Sequence, residues 1–189
     1  MDWLKTLRLI GPLSFVLGGS VGLSGCSESK DAYTQMRTPH AALISGFESY
    51  ISAADARKRV PAQLPVRVLF ESTTSADDPR PRFDELTLRV SGFVHEGFTG
   101  DLDLEFLNDR LVSTEFCPAE PDSYRRALRA SGVHFENDEE NANSPHPGVL
   151  TLIWATYADP NDSENRSCVD WVDARLFAEE GTYAWKYRL

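Results

Sequence analysis

Apolar and polar residues alternate over several short stretches of this chain, and each such stretch predicts a β-strand, half-buried from Glu85 to Val90. Val66, Val68 and Phe70 form the first, and Leu86, Leu88 and Val90, set among Glu85, Thr87 and Arg89, form the second. Gly92 predicts the end of that pattern or a bulge in it. From Asp101 to Cys117 the pattern predicts a hairpin. Leu102, Leu104 and Phe106 interleave with Asp101, Asp103 and Glu105, and Asn108-Asp109 signals the turn. A two-residue loop would set Leu102 opposite Glu115 and Leu104 opposite Ser113, wasting the apolar face. A three-residue loop, Asn108 to Arg110, is therefore expected, with Leu102 against Phe116, Leu104 against Thr114 and Phe106 against Val112. The acidic row would then face solvent.

Val149 to Tyr157 is apolar on both faces, which predicts a strand in the middle of a sheet covered on both sides. Cys168 to Trp171 reads as another strand. Glu179-Glu180-Gly181 then suits a hairpin loop with glycine at its left-handed position. Tyr183, Trp185, Tyr187 and Leu189 alternate as a final strand would, and a terminal amphipathic helix is the alternative for that stretch.

Two helices are expected. Thr38-Pro39 offers a hydroxyl cap and a proline at the first turn, and Leu43, Phe47, Tyr50, Ile51 and Ala54 then follow helical spacing. Arg57, Lys58 and Arg59 suit the C-terminal end of its dipole, and Pro61 stops it. A second, short helix begins at Glu120-Pro121-Asp122-Ser123, carries Tyr124 and Leu128 one turn apart, and ends before Gly132. Residues 72–82, 135–148 and 159–166 are polar, proline-bearing or acidic, and read as loops. The fold class is α+β: an antiparallel sheet of five to seven strands packed by one longer helix near 40–58 and one short helix near 122–131.

The first 25 residues follow other rules. Lys5 and Arg8 give a modest positive start, although Asp2 is atypical there. The apolar run from Leu9 to Leu23 is broken by Gly11, Pro12, Gly18, Gly19 and Gly22. A membrane span needs about 20 apolar residues, so this run suits an export leader better. It ends in Leu23-Ser24-Gly25-Cys26, which resembles the lipobox of bacterial lipoproteins at all four positions. The resemblance covers the leader alone. It implies cleavage between Gly25 and Cys26, a lipid on Cys26, and a mature chain that begins there. Ser27, following the cysteine, implies sorting to the outer membrane in a two-membrane cell. A buried or disulfide-bonded Cys26 after an ordinary signal peptide is the competing reading. Residues 26–38 are polar and read as a tether, and 39–189 as one globular domain.

Charge and cysteine count change the picture in two ways. The whole chain has 19 basic and 29 acidic residues, and the leader takes only Lys5, Arg8 and Asp2 from them. So acidic a mature domain is repelled by nucleic acid and by anionic head groups, and the lipid must supply the membrane affinity. With Cys26 given to lipid, Cys117 and Cys168 remain as an even pair, suited to a disulfide in an oxidising compartment; two separate buried thiols are the other possibility.

Candidate chemistry is sparse. No nucleophile elbow, phosphate loop, CxxC, HExxH or dinucleotide fingerprint occurs in the mature chain. His40, His95, His134 and His146 lack metal-ligand spacing, and no cofactor is implied. Asp159, Asn161, Asp162 and Glu164 crowd oxygen ligands as calcium requires, without the glycine and spacing of an EF-hand. Glu115, Asp170 and Asp173 lie on or near strands and could contribute to a glycosidase-like pair if they converge across a cleft. Trp154, Trp171 and Trp185 with Tyr157, Tyr183 and Tyr187 concentrate aromatics near the end, as core or as a partner surface. The expectation is a lipid-anchored envelope domain with a non-catalytic binding, assembly or protection role. Its partners would be the membrane, through Cys26, and an envelope protein. The alternatives are a periplasmic carboxylate-dependent hydrolase and a small-ligand or calcium binder.

Overall fold

The computed structural model describes residues 40–136, 150–157 and 166–187. The leader, Cys26, Ser27, the tether, His146 and the four candidate calcium ligands from Asp159 to Glu164 lie outside the described residues. The fold is α+β, built on one antiparallel sheet of six strands: β1 Val66–Ser72, β2 Glu85–His95, β3 Phe98–Leu107, β4 Arg110–Pro118, β5 Thr151–Ala155 and β6 Val169–Asp173. Their spatial order is β1-β2-β3-β4-β6-β5.

Alternation along β2, β3 and β4 divides the sheet into an apolar and a polar face. Leu88, Val90, Leu102, Leu104, Phe116, Val169 and Trp171 form the apolar one, buried against Leu43, Ile44, Phe47, Ala56, Tyr124 and Leu128. Two helices serve this layer: α1 Ala53–Arg59 and α2 Pro121–Ala130. Proline opens α2, and Val133 N–H returns to the Leu128 carbonyl at 3.0 Å beside Gly132, whose φ of 91° no side chain opposes. The third helix, α3 Ala174–Tyr187, packs Leu176 with Leu107 and Val112 as a second, smaller cluster.

The helix expected near 40–58 is only α1. Upstream of it, Ala42 bridges Glu48, Ile44–Gly46 is a 3-10 turn, and Ser45 and Tyr50 have φ of 43° and 69°. Ser45-Gly46 is a poor helix former, and the turn buries Leu43 and Phe47 as well as a helix would. The cap is Ser52, whose hydroxyl accepts from Asp55 N–H at 3.1 Å. The basic triplet does close α1.

The hairpin keeps the expected pairs Leu102↔Phe116 and Leu104↔Thr114, but Phe106 faces Leu111 rather than Val112. The extra residue is a bulge inside the ladder, not a third loop residue. Asn108 and Asp109, both at positive φ, form the two-residue turn, and Arg110 belongs to β4. Gly92 likewise sits at a register shift, between Ser91 and Phe93.

The segment read as a central strand is β5, at the sheet edge. Its two apolar faces are real: Ile153 joins the main core, while Trp154 meets Phe177 of α3 edge-on at 5.0 Å. Coverage on both sides does not require a central place. The hairpin expected around Glu179-Glu180-Gly181, with a strand after it, is α3 instead. Asp173 starts this helix by accepting from the backbone N–H groups of Arg175, at 2.9 Å, and Leu176, at 3.4 Å. Leu176, Tyr183 and Tyr187 then recur at helical spacing.

Candidate functional site

The polar face of the sheet holds most of the unusual chemistry. Arg67, Arg89, Asp103, Glu115, Asp170 and Trp154 stand opposite one another in a single row across all six strands. The row starts with two cations and continues with three carboxylates. The acidic row of β3, expected in solvent, is covered: Asp103 is buried and Glu105 half-buried. The reason is α3, which lies on this face and which the hairpin expectation left out.

Arg89 satisfies one acid fully. Its Nε and Nη2 donate to both Asp103 carboxylate oxygens at 2.7 and 2.6 Å, a buried two-pronged pair. Arg166 adds weaker contacts, with Nη2 3.5 Å from Asp103 and Nη1 3.9 Å from Asp101. The remaining acids hold protons more tightly than usual. Burial, reinforced by the charges of Glu105 and Asp103, pushes Glu115 up to about 8, with Arg166 and Arg89 opposing. Burial and the neighbouring Glu115, Glu105 and Asp103 raise Asp170 well above the carboxylate range. Glu105 is raised by burial against the opposing hydrogen bond from the Ser113 hydroxyl. From α3, Glu180 reaches about 7 through burial and the charges of Glu105 and Glu85. At neutral pH this face stores protons that exposed carboxylates would have lost.

Glu115 and Asp170 are thus brought together, and Asp173 is not. Burial works against its charge, but hydrogen bonds led by Arg175 and Ser49 outweigh this and hold Asp173 below the usual range. It is a helix cap. Asp103, Glu105, Glu180 and Arg89 join the cluster without having been singled out from sequence. The available signal was shared parity: Asp103, Glu115 and Asp170 lie on the strand positions that alternate with buried apolar residues.

One register step along the same face, Cys117 and Cys168 form a disulfide, with Cα atoms 4.1 Å apart. The pair faces across β4 and the residue before β6, in line with Glu115↔Asp170. Nearest carboxylate and sulfur atoms of Glu115, Cys117 and Cys168 all lie within 4.8 Å of one another. While the disulfide stands, the sulfurs offer no thiolate to a metal.

The described histidines are scattered. His95 Nδ1 meets the buried Tyr124 hydroxyl at 2.5 Å and stands edge-on to Phe116 and Trp171. Burial lowers its basicity, with Glu96 opposing, and burial also raises the Tyr124 hydroxyl. His40 and His134 are exposed. The aromatic residues near the chain end divide. Trp171 is core, Tyr183 stacks on Phe83 at 4.2 Å, and Tyr157 and Trp185 are exposed, Trp185 by 85%.

The longest run of exposed large apolar residues on a described strand is at the edge. Val68, Leu69 and Phe70 of β1 are 49%, 38% and 51% exposed. β1 pairs, among the described residues, only with β2 and stands at the edge of the sheet, the place where strand addition occurs. Among the described residues no helix is long and apolar enough to cross a membrane. No family model, curated protein or solved structure matches the chain.

Proposed function

We propose that this chain is a lipid-anchored envelope domain with a non-catalytic binding role, held to the outer membrane through Cys26. Its partner is an extended segment of another envelope protein, added as a strand along β1. The observation that carries this reading is the exposed apolar edge: three consecutive large side chains, Val68, Leu69 and Phe70, on a strand that pairs, among the described residues, only with β2. Strand addition supplies affinity through backbone hydrogen bonds, and side-chain pockets supply selectivity. The tether supports it too, because a membrane-held partner meets the domain at high effective concentration. The anchor draws support from cysteine use: with Cys117 and Cys168 joined, Cys26 is the cysteine left for lipid.

The carboxylate hydrolase reading fares less well. Glu115 and Asp170 do face each other, but Asp170 is only 6% exposed on a face covered by α3, whereas a glycosidase pair flanks an open cleft. A photo-crosslinking side chain in place of Leu69, in intact envelopes, tests the binding reading. The expected result is a discrete crosslinked product that disappears when Val68→Lys and Phe70→Lys are added. A product insensitive to both charges overturns the edge as the binding surface. Cys26→Ser tests the anchor separately: the chain should become soluble or remain unprocessed.

A further inference from the structure

The corner formed by Glu115, Cys117 and Cys168 has a composition and spacing suited to a metal, in a state other than the oxidised one. Glu115 and Cys117 are two residues apart on β4, so their side chains share the polar face. Cys168 faces Cys117 across the ladder, and Asp170, directly opposite Glu115, completes a two-by-two square of two sulfurs and two carboxyls. The sulfur and carboxylate atoms of Glu115, Cys117 and Cys168 lie within 4.8 Å of one another before any rearrangement. Thiolate and carboxylate donors bind zinc at about 2.0–2.3 Å, so donors on one tetrahedral ion are separated by less than this spacing.

We infer that reduction of the Cys117–Cys168 disulfide creates a binding site for a thiophilic divalent cation, with Cys117, Cys168 and Glu115 as ligands. The chemistry balances with a thiol reductant. Two reductant thiols become one disulfide, the Cys117–Cys168 bond breaks, and each sulfur takes a proton. Zinc then replaces those two protons and the one held by the buried Glu115 carboxyl, and all three pass to solvent. The two thiolates and Glu115 supply three negative charges against two on the ion, and the Arg166 guanidinium, in contact with Asp101 and Asp103, meets the remainder. The fourth position falls to water or to Asp170. In place of a covalent staple, β4 and β6 are then held through a metal ion. The domain would keep its sheet closed in either redox state and sequester zinc only in the reduced one.

The test uses the full chain in detergent, oxidised or reduced with a phosphine, desalted after exposure to zinc chloride. The expected result is one zinc per reduced chain and none per oxidised chain. Cobalt in place of zinc should give the red d–d bands of a tetrahedral site and a thiolate charge-transfer band. Glu115→Gln, which leaves the disulfide intact until reduction, should weaken zinc by about tenfold or more. Equal zinc in both redox states overturns the proposal, because the metal is then bound elsewhere. So does cobalt without a thiolate band, or Glu115→Gln with unchanged affinity. Circular dichroism covers loss of folding: a reduced chain that unfolds and is not restored by zinc also overturns it.

Discussion

Glu115 on β4 and Asp170 on β6 are directly opposed across an antiparallel ladder, two carboxyls in a position where like charges repel. The pairing is tolerable because burial keeps both acids protonated far above the ordinary carboxylate range. Glu180, reaching in from α3, does the same up to about 7.

That arrangement sets the pH dependence of stability. A group whose folded pKa is raised stabilises the fold below its unfolded pKa, and that contribution is lost as pH rises through the folded value. For Glu180 and Glu115 the loss runs from the ordinary carboxylate range up to about 7 and about 8. Asp173, held low, acts in the opposite direction, and its contribution is lost as pH falls. The melting temperature should therefore be highest in mildly acidic buffer, about pH 5, and fall toward about pH 8. Glu115→Gln should flatten that slope and raise stability at the alkaline end by on the order of 1 kcal/mol. Thermal melts across this range check both statements, and a profile rising toward alkaline pH would contradict them.

The Arg89–Asp103 pair answers to a different balance. Both side chains are buried and doubly hydrogen-bonded to each other, so removing one takes two charge-assisted hydrogen bonds from a group that water does not reach. Asp103→Asn or Arg89→Met should each cost about 3–5 kcal/mol. Replacing both with apolar residues of similar volume should recover most of that loss, since neither charge then remains to be desolvated. A double-mutant cycle in urea measures the coupling. An Arg89→Met variant that loses under about 1 kcal/mol would mean that Arg166 takes over the pairing with Asp103.

The Cys117–Cys168 bond closes a loop with a sequence separation of 51 residues. Loop-closure entropy gives about 4 kcal/mol for that length. Replacing both cysteines by serine, with a chelator present, should lower the urea midpoint by that order while the cooperativity of unfolding persists. An unchanged midpoint would show that the denatured chain is already restricted by other contacts.

The sheet was far more legible from sequence than the helices, for a physical reason. Alternation is a local signal, and β2 to β4 show it cleanly because one face meets the core and the other a polar environment; on β1 the alternating Val68 and Phe70 are exposed. The register of Leu102 with Phe116 could be argued from those faces alone. What the alternation could not show was the bulge that sets Phe106 against Leu111, because a bulge changes no residue type. Helical spacing misled in both directions: Leu43 and Phe47 satisfy it inside a tight turn, while Tyr183, Trp185 and Tyr187 also satisfy a strand. The largest consequence comes from α3. An acidic row with no known cover reads as solvated, so Asp103, Glu105 and Glu180 could not be recognised as one buried cluster with Glu115 and Asp170.

Gly100 and Gly181 give the most direct contrast between two glycines of the same fold. At Gly100 on β3 an added Cβ would run into the Cys117 carbonyl oxygen and meet the Pro118 Cα at 2.7 Å. Both neighbours are backbone, and one belongs to a residue fixed by the disulfide, so neither yields cheaply. Gly100→Ala must push β3 from β4 where they meet, and should cost about 1–3 kcal/mol. At Gly181, inside α3, an added Cβ meets nothing within 4 Å, and alanine removes the entropy penalty of a helical glycine. Gly181→Ala should stabilise the fold by up to about 1 kcal/mol. Urea denaturation of the two variants beside the unaltered chain gives both signs in one experiment. A neutral Gly100→Ala would mean that β3 and β4 do not approach this closely, and a destabilising Gly181→Ala would mean that this stretch is not helical.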